Sequence, residues 1–497
     1  MYLVVYLLAL AALALAAPAA VWQPGAREFV IILGLLGAWR YSWGAVHLVR
    51  ALIYRRLVFP AWRRAADDSG AAGLPSQVYI VITSYRIQGE TTARVYQAAI
   101  AEAIRYGRPA TIIAGIVEIG DQRLIKLLFQ RMNPPAEVRL MFVRRPGTGK
   151  RHSMACALRA ICRSRPAADA AVVVLDGDTL LTSGILASSL SFLQLMPDVD
   201  GITTDEDCIV ANGPVMQAWH ALRFAQRHQL MSSLGLSRRL LAMTGRMSIY
   251  RSSVAIDPGF IDAIENDYLD HWRLGRFKLL TGEDKSTWFW LLRGGRAMLY
   301  LPDVRVVTIE HPPARWLLPA ATQLMLRWFG NMLRTNSRAI ALGPRRIGPF
   351  TWWCLIDQRI SMWTPLIGPI VAVIFVLGKS AVFLYTYLLW VGMTRLVQAL
   401  VLLTARPRIS GLYPPLIYFG QVYGALVKTY IMFRLDRQRW TRQNIALERP
   451  LAPWPARLRE LGSAYLHALA LGALVAAVAL ATNFLSLPRL GTAGALF

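Results

Sequence analysis

The sequence predicts an α/β domain built on a doubly wound sheet and carried between apolar helical segments that meet a membrane. Three observations predict it. From about Ser76 to Glu310, short apolar runs alternate with stretches of helical period, the pattern of a sheet covered by helices on both faces. Within that region, Ala171 to Leu175 is a continuous apolar run that ends directly on Asp176-Gly177-Asp178, as a buried central strand ends in a turn. Both ends of the chain are strongly hydrophobic.

Composition agrees. The chain has 497 residues, 55% of them hydrophobic, and a mean hydropathy of +0.38, high for a soluble enzyme and enough for a large core plus several spans. A net charge of +26, from 55 Lys and Arg against 29 Asp and Glu, combines the usual basic excess of cytoplasmic loops with a demand for anionic partners such as lipid headgroups, a nucleotide diphosphate or an acidic polymer. No nucleic-acid partner is expected. Cys156, Cys162, Cys208 and Cys354 show no paired spacing and read as reduced packing residues, with no disulfide framework or zinc site.

Taken in order, Tyr2 to Trp22 and about Phe29 to Leu52 are apolar. Ala16-Ala17-Pro18-Ala19 would suit a cleaved signal peptide, but no basic residues precede the apolar run and a second one follows at once, which favours two spans over residues 1–55. Arg50, Arg55-Arg56 and Arg63-Arg64 then place the next domain, residues 76–310, in the cytoplasm. Its expected elements are strands at Val78–Thr83, Thr111–Val117, Val138–Val143 and Ala171–Leu175, with helices at Thr91–Arg105, Asp121–Met132 and Ser153–Cys162 between them. Residues 311–350 read as interfacial amphipathic helices, 360–403 as a transmembrane hairpin turning at Gly378-Lys379-Ser380, and 464–485 as a last span. Leu412 to Phe433 is apolar, yet Arg406 and Arg408 precede it and Arg434, Arg437, Arg439 and Arg442 follow it. Basic residues on both flanks favour an interfacial or re-entrant segment.

Four motifs carry chemistry. Asp176 and Asp178, one residue apart at a strand end, suit a hard divalent cation that in turn holds a diphosphate; a capping turn is the plainer reading. Gly147-Thr148-Gly149-Lys150-Arg151 fails as a phosphate loop, because Arg144 stands at the first Gly position and Arg151 replaces the Ser or Thr. It still presents two cations at a helix start, for a phosphate or for a membrane surface. Glu283 and Asp284 open an amphipathic helix, where they either cap its end or supply a general base. Arg327, Asn331, Arg334 and Arg338 share one face of a helix over 324–340, fitted to phosphates, an acidic glycan or anionic lipid. Thr244-Gly245-Arg246 is a tight turn that allows close backbone approach. Trp219, His220, Arg223 and Arg227 read as surface or interface residues. His152, His271 and His311 lack metal-ligand spacing.

In this order the motifs resemble the processive membrane family 2 glycosyltransferases, the group containing hyaluronan, chitin and cellulose synthases. The resemblance covers about residues 76–340 and the flanking membrane segments. It implies a GT-A fold, with Asp176 and Asp178 holding Mg²⁺ or Mn²⁺ and the donor diphosphate, and Lys150 and Arg151 near the nucleotide. It also implies acceptor contacts from Thr244, Gly245, Glu283 and Arg334, and Asp284 as the base of an inverting transfer. The family's Asp-Asp pair is here Glu118 and Asp121. Its Gln-x-x-Arg-Trp element is here Leu324-Met325-Leu326-Arg327-Trp328, Arg327 and Trp328 standing on the donor side; Arg439-Trp440, with Asp436 in the Gln place, is coincidence.

The run Arg327 to Asn336 is most similar to the branch that polymerises mannuronic acid. That implies GDP-mannuronic acid as donor, a growing anionic polysaccharide (β-1,4 polymannuronate, the alginate precursor), a bacterial inner membrane and its lipids, and a cyclic di-GMP-binding membrane co-polymerase as partner. The alternatives are a membrane synthase using a UDP-sugar, a non-processive transferase to a lipid phosphate, and a transporter or scaffold with a degenerate transferase domain.

Overall fold

A computed structural model of the chain describes residues 2–22, 27–145, 149–210, 213–438 and 453–486. Its centre is an eight-stranded sheet formed by β1 (Val78–Thr83), β2 (Ala110–Ile116), β3 (Val138–Arg144), β4 (Ala171–Asp176), β5 (Thr179–Leu180), β6 (Val199–Val210), β7 (Met247–Arg251) and β10 (Ala297–Glu310). The spatial order is β3-β2-β1-β4-β7-β6-β10-β5, and β8 (Tyr268–His271) pairs with β9 (Gly275–Lys278) in a separate ribbon.

The first four strands lie where the apolar runs place them, and they pair in parallel. Strand order grows from β1 towards β3 and then reverses to β4, so right-handed crossovers put the intervening helices on opposite faces. The Gly89–Tyr106, Ile119–Met132 and Ile185–Leu195 helices pack together, and the Lys150–Arg163, Pro258–Glu265 and Glu283–Arg293 helices form a second group. Burial is complete along β1 and β2 and along β4 up to Leu175, as two covered faces require.

The second half of the sheet is mixed rather than parallel. β7 runs antiparallel to both β4 and β6, whereas β10 runs parallel to β6. This reversal positions the site. Leu175 pairs with Met247, so the end of β4 meets the turn that begins β7. The Ile309 amide donates to the Asp178 carbonyl at 2.8 Å, which brings the end of β10 to the same edge.

Three helices among the described residues are long and apolar enough to cross a membrane: Pro349–Gly378, Val382–Thr404 and Trp454–Ala481. The expected hairpin over 360–403 has helices Thr364–Gly378 and Val382–Val401 on its two sides, and the last helix begins earlier than expected, at Pro453. At the N-terminus the apolar stretches form helices Tyr2–Leu15 and Arg27–Ile53. The disputed segment is a helix, Tyr413–Met432, packed against the Leu317–Ile340 and Val382–Val401 helices. Of its basic flank, Arg434 and Arg437 pair with Glu460 at 3.1 and 2.6 Å; Arg439, Trp440 and Arg442 lie outside the described residues.

Polar anchors fasten the sheet domain to these helices. Asp205 on β6 is buried, a costly place for a carboxylate unless it is fully partnered. It has Arg406 at 2.8 Å, Arg305 at 3.0 Å, His228 at 3.1 Å and the Tyr300 hydroxyl at 3.2 Å. Arg406 follows the hairpin, so this cluster joins membrane segment to sheet. Tyr54, at the end of the Arg27–Ile53 helix, donates to the Tyr300 carbonyl at 2.6 Å. Its ring lies where a Cβ on Gly235 would sit, 2.6 Å from the nearest ring carbon. Gly235→Ala should therefore lower stability by about 2 kcal/mol through overpacking, read as a lower thermal midpoint of the detergent-solubilised protein; an unchanged midpoint would show that the Tyr54 ring yields freely.

Candidate active site

The edge where β1, β4 and β10 end and β7 begins opens into a cavity lined by Asp176, Gly177, Asp178, Lys150, Glu283 and Asp284, with Arg246, Glu310, Arg327 and Trp328 on its far wall. Local backbone chemistry shapes it. The Gly177 amide donates to the Thr83 carbonyl at 2.9 Å, and a Cβ there would meet the Ser84 side chain at 2.4 Å. Only Gly lets the acidic turn lie against the loop after β1. On the opposite side, Gly245 has no room for a side chain, since its Cβ would stand 2.8 Å from Asp176 Oδ2 and 3.1 Å from Lys150 Nζ.

Lys150 opens the Lys150–Arg163 helix, and its ammonium bonds to both Asp176 Oδ1 and Glu283 Oε1. Burial works to lower its pKa, but the two carboxylates outweigh burial and raise it, so Lys150 stays charged. Burial likewise works to raise Glu283, and the Lys150 and Arg151 charges hold it below the usual carboxylate range. Asp284, next in the same helical turn, lacks that partner. Burial, and then the charge of Glu283, push its carboxyl up to about 6. Two adjacent carboxylates are thus driven apart, one fixed as an anion and the other poised to exchange a proton near neutral pH.

The far wall rests on a second ionic cluster. Arg246 reaches Glu310 at 2.6 Å and Glu206 at 3.3 Å. Burial works to raise Glu310, and Arg246 brings it down to about 2. Trp328 stacks on Trp219 with centroids 5.8 Å apart, and the Arg223 guanidinium lies 3.4 Å from the Trp328 ring centroid. Trp219 and His220 are buried and, with Arg223, back Trp328 instead of facing solvent; the i, i+4 spacing of Trp219 and Arg223 could have revealed one packed face.

The structure brings Asp176, Asp178, Lys150, Gly245, Glu283, Asp284, Arg327 and Trp328 together and leaves the other expected site residues outside. Arg151, one helical step from Lys150, turns inward and donates to the Ile264 and Thr281 carbonyls at 2.8 and 2.9 Å. Thr244 is buried, its hydroxyl bonded to the Met247 backbone at 3.3 Å. Arg334 is buried and donates to the carbonyls of Leu435 and Arg437 at 2.7 and 2.9 Å, a structural use in place of acceptor binding. Arg338 pairs with Asp267 at 2.6 Å, so the expected arginine face divides and Arg327 and Asn331 line the cavity. Glu118 points outward to Arg86 at 3.2 Å; neither it nor Asp121 reaches the wall, where Tyr85, Ile116 and Val117 stand instead. Gly147 and Thr148 lie outside the described residues. Sequence reasoning missed Glu206 and Glu310: Glu206 is the middle of an acidic run, Asp205-Glu206-Asp207, that looks like a solvated turn, and Glu310 is a lone carboxylate at the end of its strand.

Among the described residues no group of three or more His, Cys, Asp or Glu side chains could hold a metal ion. Asp176 and Asp178, both lining the cavity, are nevertheless the donor type that Mg²⁺ or Mn²⁺ takes, because such ions are commonly held by one or two carboxylates together with substrate phosphates and water.

The pattern that defines the glycosyltransferase-like family 2 matches residues 75–331. Two curated relatives extend further: "Glycosyltransferase alg8" of Pseudomonas syringae pv. tomato is 48% identical over 447 residues, covering 90% of this chain and 91% of its own. The protein of the same description from Azotobacter vinelandii is 46% identical over 440 residues, covering 88% and 89%. A mannosyltransferase of Pyrobaculum calidifontis, solved with GDP-Man and Mn²⁺, overlays 77% of this chain and 98% of its own at 16% identity, with a TM-score of 0.45.

Gly245→Ala should displace Asp176 or Lys150 and reduce turnover on the order of 100-fold, as small misplacements of catalytic groups do. Steady-state rates alongside an unchanged circular-dichroism spectrum check it; full activity would mean that the contact relaxes without consequence.

Proposed function

The chain belongs to the glycosyltransferase-like family 2 and is a glycosyltransferase, and on that footing we propose that it joins mannuronic acid from GDP-mannuronic acid into β-1,4 polymannuronate and passes the polymer across the bacterial inner membrane. The observation that carries the reaction is the cavity itself, where a carboxylate pair, a fixed cation and a carboxyl titrating near neutrality face one another. The run Arg327 to Asn336 and the nine-tenths coverage by the two relatives support the choice within the family.

Mg²⁺ or Mn²⁺ held by Asp176 and Asp178 would supply countercharge to the departing diphosphate. Asp284 takes the proton of the acceptor hydroxyl. The freed oxygen forms a bond to the anomeric carbon from the face opposite the diphosphate, that carbon's bond to the phosphate oxygen breaks, and the configuration inverts. Glu283 stays ionised on Lys150 and does not compete for the proton. Gly245 lets the backbone of the acceptor-side turn close against Asp176 and Lys150, and Arg327 adds positive charge on the donor side. Trp328, stiffened from behind by Trp219 and Arg223, offers a flat apolar face to a sugar ring.

In this reading the catalytic domain is cytoplasmic and the 1–55, 360–403 and 464–485 segments cross the membrane. The 311–350 and 412–433 segments lie at the interface, and a cyclic di-GMP-binding co-polymerase joins the assembly.

Membranes containing the protein, given Mg²⁺ or Mn²⁺, should release GDP from GDP-mannuronic acid and make a polyanion that alginate lyase digests. Turnover of a UDP-sugar alone would discard the donor and keep the mechanism, and short products soluble in organic solvent would point to transfer onto a lipid phosphate. Asp284→Asn should lose on the order of 1,000-fold in turnover with GDP binding retained; a variant that still turns over at the wild-type rate places the base elsewhere. Since Asp284 acts ionised and titrates near 6, rate should fall about tenfold per pH unit below that value, whereas an ordinary Asp would hold its rate down to about pH 4. A pH–rate profile decides between them.

A further inference from the structure

A second cavity, of about 590 Å³, lies away from the catalytic edge, and Arg238, Arg239, Arg296, Arg345 and Arg346 line it with Asp198 as the one acidic residue on its wall. The charge is only partly consumed internally. Arg238 pairs with Asp198 at 2.6 Å, and Arg296 with Asp200 at 2.7 Å. Arg239 donates to the carbonyls of Arg238 and Gly295 at 3.2 and 2.6 Å, and Arg346 to that of Arg293 at 2.8 Å. Those partners are neutral, so two guanidinium charges stay uncompensated. Arg345 is exposed and has no hydrogen bond or ion pair among the described residues. Arg238 also sits in the left-handed region, at φ +48°, a costly conformation for a residue with a Cβ, held by the Met298 amide donating to its carbonyl at 3.0 Å.

The position of the cavity selects the kind of anion. Residues 348–351 form part of its wall, and Pro349 begins the Pro349–Gly378 helix, long and apolar enough to cross a membrane. The amino-terminal turn of that helix adds the positive end of its dipole. Arg50, from the last turn of the Arg27–Ile53 helix, bonds to Ser237 of the lining at 2.7 Å and lies 3.7 Å from the centroid of the Phe350 ring. With the Pro349–Gly378 helix crossing the membrane as in the proposed function, on which this inference rests, the basic pocket lies between helix ends at the bilayer edge and suits a phosphate that arrives on a lipid. We propose that this cavity binds the phosphodiester headgroup of an anionic phospholipid. The same chemistry would accept inorganic phosphate, so the test must separate the two sources.

The full-length protein, purified in neutral detergent, is titrated with short-chain phosphatidylglycerol while its thermal midpoint is read, with phosphatidylcholine as the uncharged control. Phosphatidylglycerol should raise the midpoint and phosphatidylcholine should not. Arg345→Gln combined with Arg346→Gln should shift the half-effective lipid concentration upward on the order of 30-fold. Arg345→Gln alone, which removes no internal partner, should give a smaller shift in the same direction with an unaltered lipid-free midpoint. Equal protection of wild type and both variants overturns the proposal. So does protection by millimolar inorganic phosphate equal to that of the lipid, since that assigns the cavity to a soluble ligand.

Discussion

The Lys150 ammonium, bonded at once to Asp176 and Glu283, is the constraint on which the site depends. Asp176, Asp178, Glu283 and Asp284 crowd one cavity, and four carboxylates there would repel one another strongly in a low dielectric. One buried cation fastens the end of β4 to the start of the Glu283–Arg293 helix and relieves that repulsion. It can do so because Gly149 adopts φ +99° and starts the lysine's helix at the right angle, and because Gly245 and Gly177 let backbone close in on both sides. The same cation separates the chemistry of neighbours: Glu283 is held as an anion, and Asp284 is left to titrate.

β6 extends this control outward. Asp205 and Glu206 are consecutive, so in a pleated strand they face opposite sides. Asp205 engages Arg406 beyond the hairpin, and Glu206 engages Arg246 on the cavity wall. Two charged residues in one strand thereby connect the membrane segment to the catalytic cavity without any intervening loop. Each carboxylate is tolerable in a buried strand because cations surround it, Arg406 and Arg305 at Asp205, Arg246 and Arg227 at Glu206.

How much of this the sequence disclosed follows from where its signals are local. β1 to β4 and their helices were legible because unbroken apolar runs between amphipathic stretches leave little choice of structure. The acidic turn and the Glu283-Asp284 pair stood out through their order along the chain relative to Lys150 and Gly245, since carboxylates at an element's end are by themselves most simply caps. β6 was not, since Thr203, Thr204, Asp205 and Glu206 interrupt its apolar character, and their burial is compensated only by residues distant in the chain. Arg151, Arg334 and Arg338 misled for a related reason. An arginine on a helix face looks alike whether it meets substrate or a carbonyl from a segment a hundred residues away, and only the fold reveals which partner it has. Glu310, and its pairing with the Arg246 of the singled-out turn, stayed hidden until the antiparallel insertion of β7 brought their strands together.

Arg334 also separates ancestry from architecture. The family pattern ends at residue 331, yet three residues later this buried guanidinium closes on carbonyls of Leu435 and Arg437, and Asp205 relies on Arg406. The inherited unit and the cooperative unit are therefore different stretches of polypeptide. A segment cut at the inherited boundary and grafted to another anchor would strip Arg406 from Asp205 and leave it to Arg305, His228 and Tyr300, so a graft that moves the transferase together with its membrane helices keeps this charge balance intact.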